Sequence, residues 1–392
     1  FMRGAAYTLK VWVEQYHSQP ARLRIHARGA WPSCRRLICV ASEPVASCGL
    51  SVPWRRRKQL EPKVPKSLRP ARPFLPAVAA CLLALAATCV QAATDPLPSW
   101  NEGAVKTRIV SFVQAVTDPT GRDYVAPAAR VAVFDNDGTL WTEQPVYFQA
   151  MFAMDTVQAM AAKDPALAAN PAIAAAAKGD LKALGEVIAI THANTTSDEF
   201  AERVRQWTKT ARHPTLHRRY TELAFQPMRE LLHYLEANGF ATWIVSGGGV
   251  EFMRAFSQEV YGIPSERVIG SSIKTRYEVR DGGPVIVRLP ELDFLDDKDG
   301  KPIGIHKAIG KRPIAAFGNS DGDFEMLEWT TAGPGPRLGM IVHHDDATRE
   351  FAYDRGSHIG KLERGLDEAG ARGWMLISMK SDWRTVYDLA QR

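Results

Sequence analysis

Two carboxylates stand two residues apart in Asp135-Asn136-Asp137-Gly138-Thr139, directly after the apolar run Val131–Phe134. The first of such a pair can attack phosphorus as a nucleophile. The second can protonate a leaving oxygen and later take a proton from water. Gly138 permits a tight turn whose neighbouring N–H groups can face an anion. An Asp/Asn/Gly turn after a strand is also ordinary loop chemistry, so the motif gains meaning from others like it. A second apolar run, residues 241–245, leads into Ser246-Gly247-Gly248-Gly249, a hydroxyl and main-chain N–H groups ahead of a helix. A third, residues 314–317, leads into Gly318-Asn319-Ser320-Asp321-Gly322-Asp323, a set of hard oxygen donors suited to Mg²⁺. Gly138, Thr139, Ser246 and Gly247 are the candidate phosphate-binding positions.

These loops need elements to hold them. Short apolar runs without alternation read as buried parallel strands, and residues 338–342 supply a fourth. Residues 227–238 begin at Pro227, place Leu231, Leu232 and Leu235 on one face and stop before Gly239, the asymmetry of a helix. Residues 250–260 and 303–310 read as further helices. The fold class is therefore α/β, a parallel sheet covered on both faces, with the chemistry at the strand C-termini where such sheets bind ligands. Residues 141–226 read as a mostly helical insertion, with apolar-faced segments near 147–162, 181–190 and 198–209. Asp281-Gly282-Gly283 between two β-rich segments predicts a hairpin over 272–290. Residues 348–392 read as closing helices with a strand near 374–378.

The order of Asp-Asn-Asp-Gly-Thr, Ser-Gly-Gly-Gly, a lysine and Gly-Asn-Ser-Asp-Gly-Asp resembles the haloacid dehalogenase superfamily in its phosphatase branch, across residues 125–345. The Ser-Gly-Gly-Gly motif with its downstream hairpin is most similar to the phosphoserine phosphatase-like members. The resemblance implies a Rossmann-like core formed by residues 93–140 and 227–392, with 141–226 as a helical cap. It makes Asp135 the nucleophile, Asp137 the general acid/base and Ser246 a hydrogen-bonding partner of the phosphoryl group. The catalytic lysine falls on Lys301, with Lys298 and Lys307 as alternatives. Mg²⁺ would be held by the Asp135 carboxylate, the Asp137 carbonyl, Asn319 and Asp323. The usual last motif is Gly-Asp-x-x-x-Asp, so Asn319 stands where an acid is expected. Glu143, Gln144 and Tyr147 follow the first motif and are candidate substrate-side residues, Glu143 for a substrate amine. An acid at Asp137 favours phosphate ester over carbon–halogen cleavage, because an alkoxide needs protonation and a halide does not. The expected activity is hydrolysis of small phosphomonoesters through an aspartyl-phosphate. A phosphomutase and a non-catalytic phospho-ligand binding domain are the alternatives.

Composition is ordinary for a globular chain, with 392 residues, 45% apolar and 23% charged. The net charge of +6 is unevenly spread: residues 1–92 carry +12 and residues 93–392 carry −6. An acidic body argues against nucleic acid as its partner and leaves a small molecule. All five cysteines precede residue 93, which leaves the body no disulfide and no thiolate chemistry. Residues 74–90 form an uncharged apolar run after Lys63, Lys66, Arg69 and Arg72, and Val90-Gln91-Ala92 offers a small-residue cleavage site. That is the pattern of a secretory signal over 64–92, with a membrane anchor as the alternative. It predicts a periplasmic or secreted protein. Residues 1–63 read as a disordered or spurious extension. No histidine pair among His192, His213, His217, His343 and His344 has the spacing of a metal-binding helix motif.

Overall fold

The computed structural model describes residues 95–178 and 180–388. The expected extension, the signal segment and the five cysteines lie outside the described residues.

The central strand β1 (Val131–Phe134) is buried at every position. It contributes Val131 and Val133 to one apolar cluster and Ala132 and Phe134 to another, which is why its sequence does not alternate. Its neighbours are β2 (Ala241–Gly249) and, on the other side, β5 (Ala315–Gly318), both parallel, so Phe134 stands level with Ile244 and Phe317. Beyond β2 lie β3 (Val268–Arg280) and β4 (Gly283–Phe294). Beyond β5 lie β6 (Leu338–Asp345) and β7 (Ala352–Tyr353), and β8 (Met375–Ser378) pairs with β6. The eight strands form one sheet in the order β4-β3-β2-β1-β5-β6-β7, with β8 off that path. Only the β3–β4 and β6–β7 pairings are antiparallel.

Among the described residues seven helices reach eight residues. Helices α1 (Ala104–Thr117) and α5 (Gln226–Ala237) cover one face of the sheet through Ile109, Phe112, Val113, Leu231, Leu232 and Leu235. Helices α6 (Gly300–Ile309) and α7 (Phe324–Thr331) cover the other through Ile305, Phe324 and Leu327. Between β1 and α5 lie α2 (Phe148–Ala161), α3 (Leu181–His192) and α4 (Ser197–Thr210), with two short helical turns, Pro165–Ala168 and Pro171–Ala176. Thr196 caps α4 in a reciprocal box with Glu199, at 3.1 and 2.8 Å. The inserted helices have their own cluster around Ala153, Val157 and Val187. Phe148, Phe152 and Phe200 nevertheless belong to the main core, so the insertion is packed onto the sheet domain.

The hairpin turns at Asp281 (φ 50°) and Gly282 (φ 80°), two left-handed residues as a tight two-residue turn requires. Its strands are longer than the sequence predicts, and β4 reaches the insertion, where Asn194 N–H donates to the Arg288 carbonyl at 2.9 Å. The helix expected over 250–260 is two short ones, Val250–Arg254 and Ser257–Tyr261. Phe256 separates them with φ −133°, outside the helical range. The helix expected over 303–310 begins earlier, at Gly300, which brings Lys301 into its first turn. Among the described residues no helix is long and apolar enough to cross a membrane.

Candidate active site

The C-terminal ends of β1, β2 and β5 bring the three loops together, and Lys301 joins them from the first turn of α6. Its side chain is nearly sealed from solvent, at 3% exposure. Its ammonium donates to Asp135 Oδ1 at 2.7 Å, to Asp323 Oδ1 at 2.5 Å and to the Val245 carbonyl at 3.0 Å. One cation thus ties the ends of all three strands. Burial alone would lower its pKa, but Asp135 and Asp323 hold it above the ordinary lysine value. Lys307 lies over the Phe294 ring, 4.3 Å from its centroid, and Lys298 donates its main-chain N–H to the Gly322 carbonyl at 3.1 Å. Of the three candidates, Lys301 is the one whose ammonium meets Asp135.

Asp135 is buried, and its main-chain N–H donates to the Phe317 carbonyl at 2.9 Å. Burial, and then Asp323, push its carboxyl well above the usual range, against the pull of Lys301. Desolvation also raises Asp137, while the Trp141 indole N–H, 2.8 Å from Asp137 Oδ1, opposes the rise. Gly138 turns the loop with φ 74°, and its N–H donates to the Trp141 carbonyl at 2.8 Å. The fully buried Thr139 hydroxyl donates to Asn319 Oδ1 at 3.1 Å. The loop after β5 is organised by Asp323, whose Oδ2 accepts the N–H groups of Asn319 and Ser320, each at 3.0 Å.

Ser246 is buried and its hydroxyl accepts the Gly248 N–H at 3.1 Å. Gly247 is exposed, and its carbonyl accepts the Ser271 hydroxyl at 2.8 Å. The Gly249 N–H is engaged by Gln149 Oε1 at 2.7 Å, a residue the sequence motifs do not single out. Gln149 stands in the first turn of α2, so it carries the insertion onto the end of β2, which runs through the expected Ser246–Gly249 loop as far as Gly249. Its Nε2 meets His192 Nε2 at 3.1 Å, and His192 Nδ1 meets the Thr191 hydroxyl at 2.8 Å. Burial, then Arg288 and Arg203, hold His192 well below its ordinary pKa. The imidazole is therefore neutral and accepts from Gln149.

Glu143 and Tyr147 part company. Tyr147 precedes α2 and is 39% exposed. Glu143 is buried, and its Oε1 accepts from Asn319 Nδ2 at 2.7 Å and from the Tyr353 hydroxyl at 2.8 Å. Its carboxyl is raised well above the usual range, first by burial and then by Asp137 and Asp135. Gln144 donates its amide to the Ile359 carbonyl at 3.1 Å. His344, at the end of β6, donates from Nε2 to the Gly138 carbonyl at 2.8 Å and so supports the first loop from the side.

Asp135, Asp137 and Asp323 are three carboxylates near Lys301, and Glu143 joins them through Asn319. Among the described residues, no three His, Cys, Asp or Glu side chains form a group able to hold a metal by themselves. A divalent ion here would also draw on Asn319 Oδ1 and the Asp137 main-chain carbonyl. Mixed carboxylate and carbonyl oxygens suit Mg²⁺, and burial is the first cause of the upward push on Asp135, Asp137 and Glu143, a cost of desolvating carboxylates that a divalent cation beside them would offset. The donor set fits the ion.

A family model described as haloacid dehalogenase-like hydrolase matches residues 132–328. No curated protein matches the chain. Among solved structures, a conserved protein of unknown function from Anaerococcus prevotii is 17% identical, with 64% of this chain and 89% of that chain covered and a TM-score of 0.45. A protein of unknown function from Bordetella pertussis is 18% identical, with 63% and 97% covered and a TM-score of 0.41. A phosphoserine phosphohydrolase-like protein from Francisella tularensis is 19% identical, with 62% and 98% covered and a TM-score of 0.32.

Proposed function

The chain belongs to the haloacid dehalogenase-like hydrolases, and on that footing we propose that it is a phosphatase of small phosphomonoesters that works through a phosphorylated Asp135. The observation that carries this reading is the buried contact of Lys301 with Asp135, with Asp137 two residues on at the end of the central strand. Asp135 attacks phosphorus, and the bond to the leaving oxygen breaks. Asp137 gives its proton to that oxygen, and the desolvation that raises its pKa favours the protonated form this step needs. Asp137 then takes a proton from water as the water attacks the same phosphorus, which releases inorganic phosphate and regenerates Asp135. Lys301 stays charged throughout and holds the Asp135 carboxylate in place. The Ser246 hydroxyl stands ready for a phosphoryl oxygen, whereas the main-chain N–H groups of Gly138 and Thr139 are taken by the carbonyls of Trp141 and Asn136, at 2.8 and 3.2 Å. Mg²⁺, held by Asp135, the Asp137 carbonyl, Asn319 and Asp323, would supply positive charge against those oxygens.

The inserted helices reach this edge through Gln149, and in this reading they limit the substrate to a small ester. Export to the periplasm or medium is part of the proposal and rests on the basic, apolar and small-residue order of residues 63–92. N-terminal sequencing of the native protein tests it, and retention of residues 74–90 would turn the reading to an anchored enzyme.

The enzymatic test is phosphate release by the purified protein from a panel of phosphomonoesters, with Mg²⁺ and with EDTA, beside Asp135→Asn. Metal-dependent release that vanishes in the folded variant supports the mechanism. Turnover unchanged by Asp135→Asn defeats it.

A further inference from the structure

Glu143 is built into the fold more firmly than a substrate-side residue needs to be. Its Oε1 takes two donors, Asn319 Nδ2 at 2.7 Å and the Tyr353 hydroxyl at 2.8 Å. The same oxygen lies between two left-handed glycines, Gly138 (φ 74°) and Gly360 (φ 64°), and a Cβ on either would collide with it. Residues from three distant parts of the chain therefore leave room for one buried carboxylate oxygen and hydrogen-bond it.

The contact with Asn319 fixes the asparagine amide. With Nδ2 given to Glu143, Oδ1 is turned to the Thr139 hydroxyl at 3.1 Å, on the side of the first loop. The Asn319 amide is thus held at both ends, its Nδ2 by Glu143 and its Oδ1 by Thr139, and cannot turn over without breaking both bonds.

We propose that Glu143 is a positioning residue for the cation site, holding the Asn319 amide so that its Oδ1, and not its Nδ2, is turned toward the first loop. The assignment rests on the Mg²⁺ reading above. It also takes Glu143 Oε1 away from the role of contacting a substrate amine, because that oxygen is enclosed by Asn319, Tyr353, Gly138 and Gly360.

The test is calorimetric titration of Mg²⁺ alone into the full protein and three variants, Glu143→Gln, Asn319→Asp and the double variant, each checked for folding by circular dichroism. Glu143→Gln is expected to weaken Mg²⁺ binding by about tenfold, as loss of a group that orients a metal ligand does. Asn319→Asp alone removes the amide that donates to Glu143, puts two carboxyl groups in contact and is expected to lower the thermal midpoint. The double variant exchanges amide and carboxyl, remakes the hydrogen bond between them and is expected to restore both affinity and midpoint. Gly360→Ala, which displaces Glu143 without changing any charge, is expected to weaken Mg²⁺ binding as Glu143→Gln does. Wild-type affinity in Glu143→Gln, or additive effects in the double variant, overturns the proposal and leaves the Mg²⁺ reading standing. Absence of Mg²⁺ binding by the wild-type protein overturns that reading, and this proposal with it.

Discussion

Lys301 Nζ stands 2.7 Å from Asp135 Oδ1 across 166 positions of sequence, and the same ammonium holds Asp323. Lys301 is thus both the counter-charge of the nucleophile and the link between the loops after β1 and β5. Lys301→Met removes the one cation and leaves two buried carboxylates uncompensated. Breaking a buried pair in this way costs about 3–5 kcal/mol. Urea unfolding is expected to show that loss, and phosphate release is expected to vanish. A variant as stable as the wild type would mean that Asp135 and Asp323 find another partner.

Trp141 sets the protonation of Asp137. Its indole N–H favours the Asp137 carboxylate and opposes the rise caused by desolvation. The general acid must be protonated when the ester oxygen leaves, so the rate falls as pH rises through its pKa. Trp141→Phe removes the N–H and lets that pKa climb. The alkaline limb of the kcat profile is expected to move to higher pH, at a stability cost of about 1–3 kcal/mol for the smaller ring. A limb that stays in place would take Asp137 out of the acid role.

The three loops are legible in the sequence because each follows an apolar run that has nowhere to go but the middle of a sheet. Val131–Phe134 is the clearest, and the structure begins and ends β1 at those residues. The lysine is legible only as one of three, since helical spacing cannot say which ammonium turns inward; the earlier start of α6 decides for Lys301. His344 is legible only as part of a polar group after the fourth strand, and Gln149 and Tyr353 are not legible at all. The three meet their partners over separations of 206, 100 and 210 residues, and no local periodicity encodes such contacts. The break at Phe256 escapes the sequence for a related reason. The ring packs in the main cluster beside Trp141, with centroids 4.7 Å apart, and tertiary packing overrides a continuous helical pattern.

Gln149 is a side chain through which the insertion touches the end of β2. Its carbonyl takes the Gly249 N–H, and a Cβ on Gly248 would stand 3.5 Å from both Gln149 Oε1 and Asp137 Oδ2. The amide therefore lies beside the reacting groups and carries no charge. Gln149→Ala cuts the tie between insertion and strand, and kcat/KM is expected to fall about tenfold, the effect of one lost hydrogen bond of about 1.4 kcal/mol. Gln149→Glu keeps the length but puts a negative charge near Asp137 and an anionic substrate. It is expected to fall further than the alanine variant. Equal losses in the two variants would show that charge at this position is not felt by the reaction.

Asp296 makes the last test, because it is fully buried on the segment between β4 and α6 and burial pushes its carboxyl from 3.8 up to about 7. The folded protein therefore holds a proton that the unfolded chain releases near pH 4. Stability falls as pH rises wherever the folded state binds more protons, so this group destabilises the fold progressively from about pH 4 to about pH 7. Lys301 already tempers the rise to about 7, and at 1.36 kcal/mol for each pKa unit the whole effect is about 4 kcal/mol. Asp296→Asn removes the titration and keeps the shape. The thermal midpoint of the variant, measured against wild type, is expected to gain steadily between pH 4 and pH 7 and to hold a constant lead above that. A constant difference across the whole range would mean that Asp296 is ionised in the folded protein at every pH tested, with Lys301 as its compensating charge.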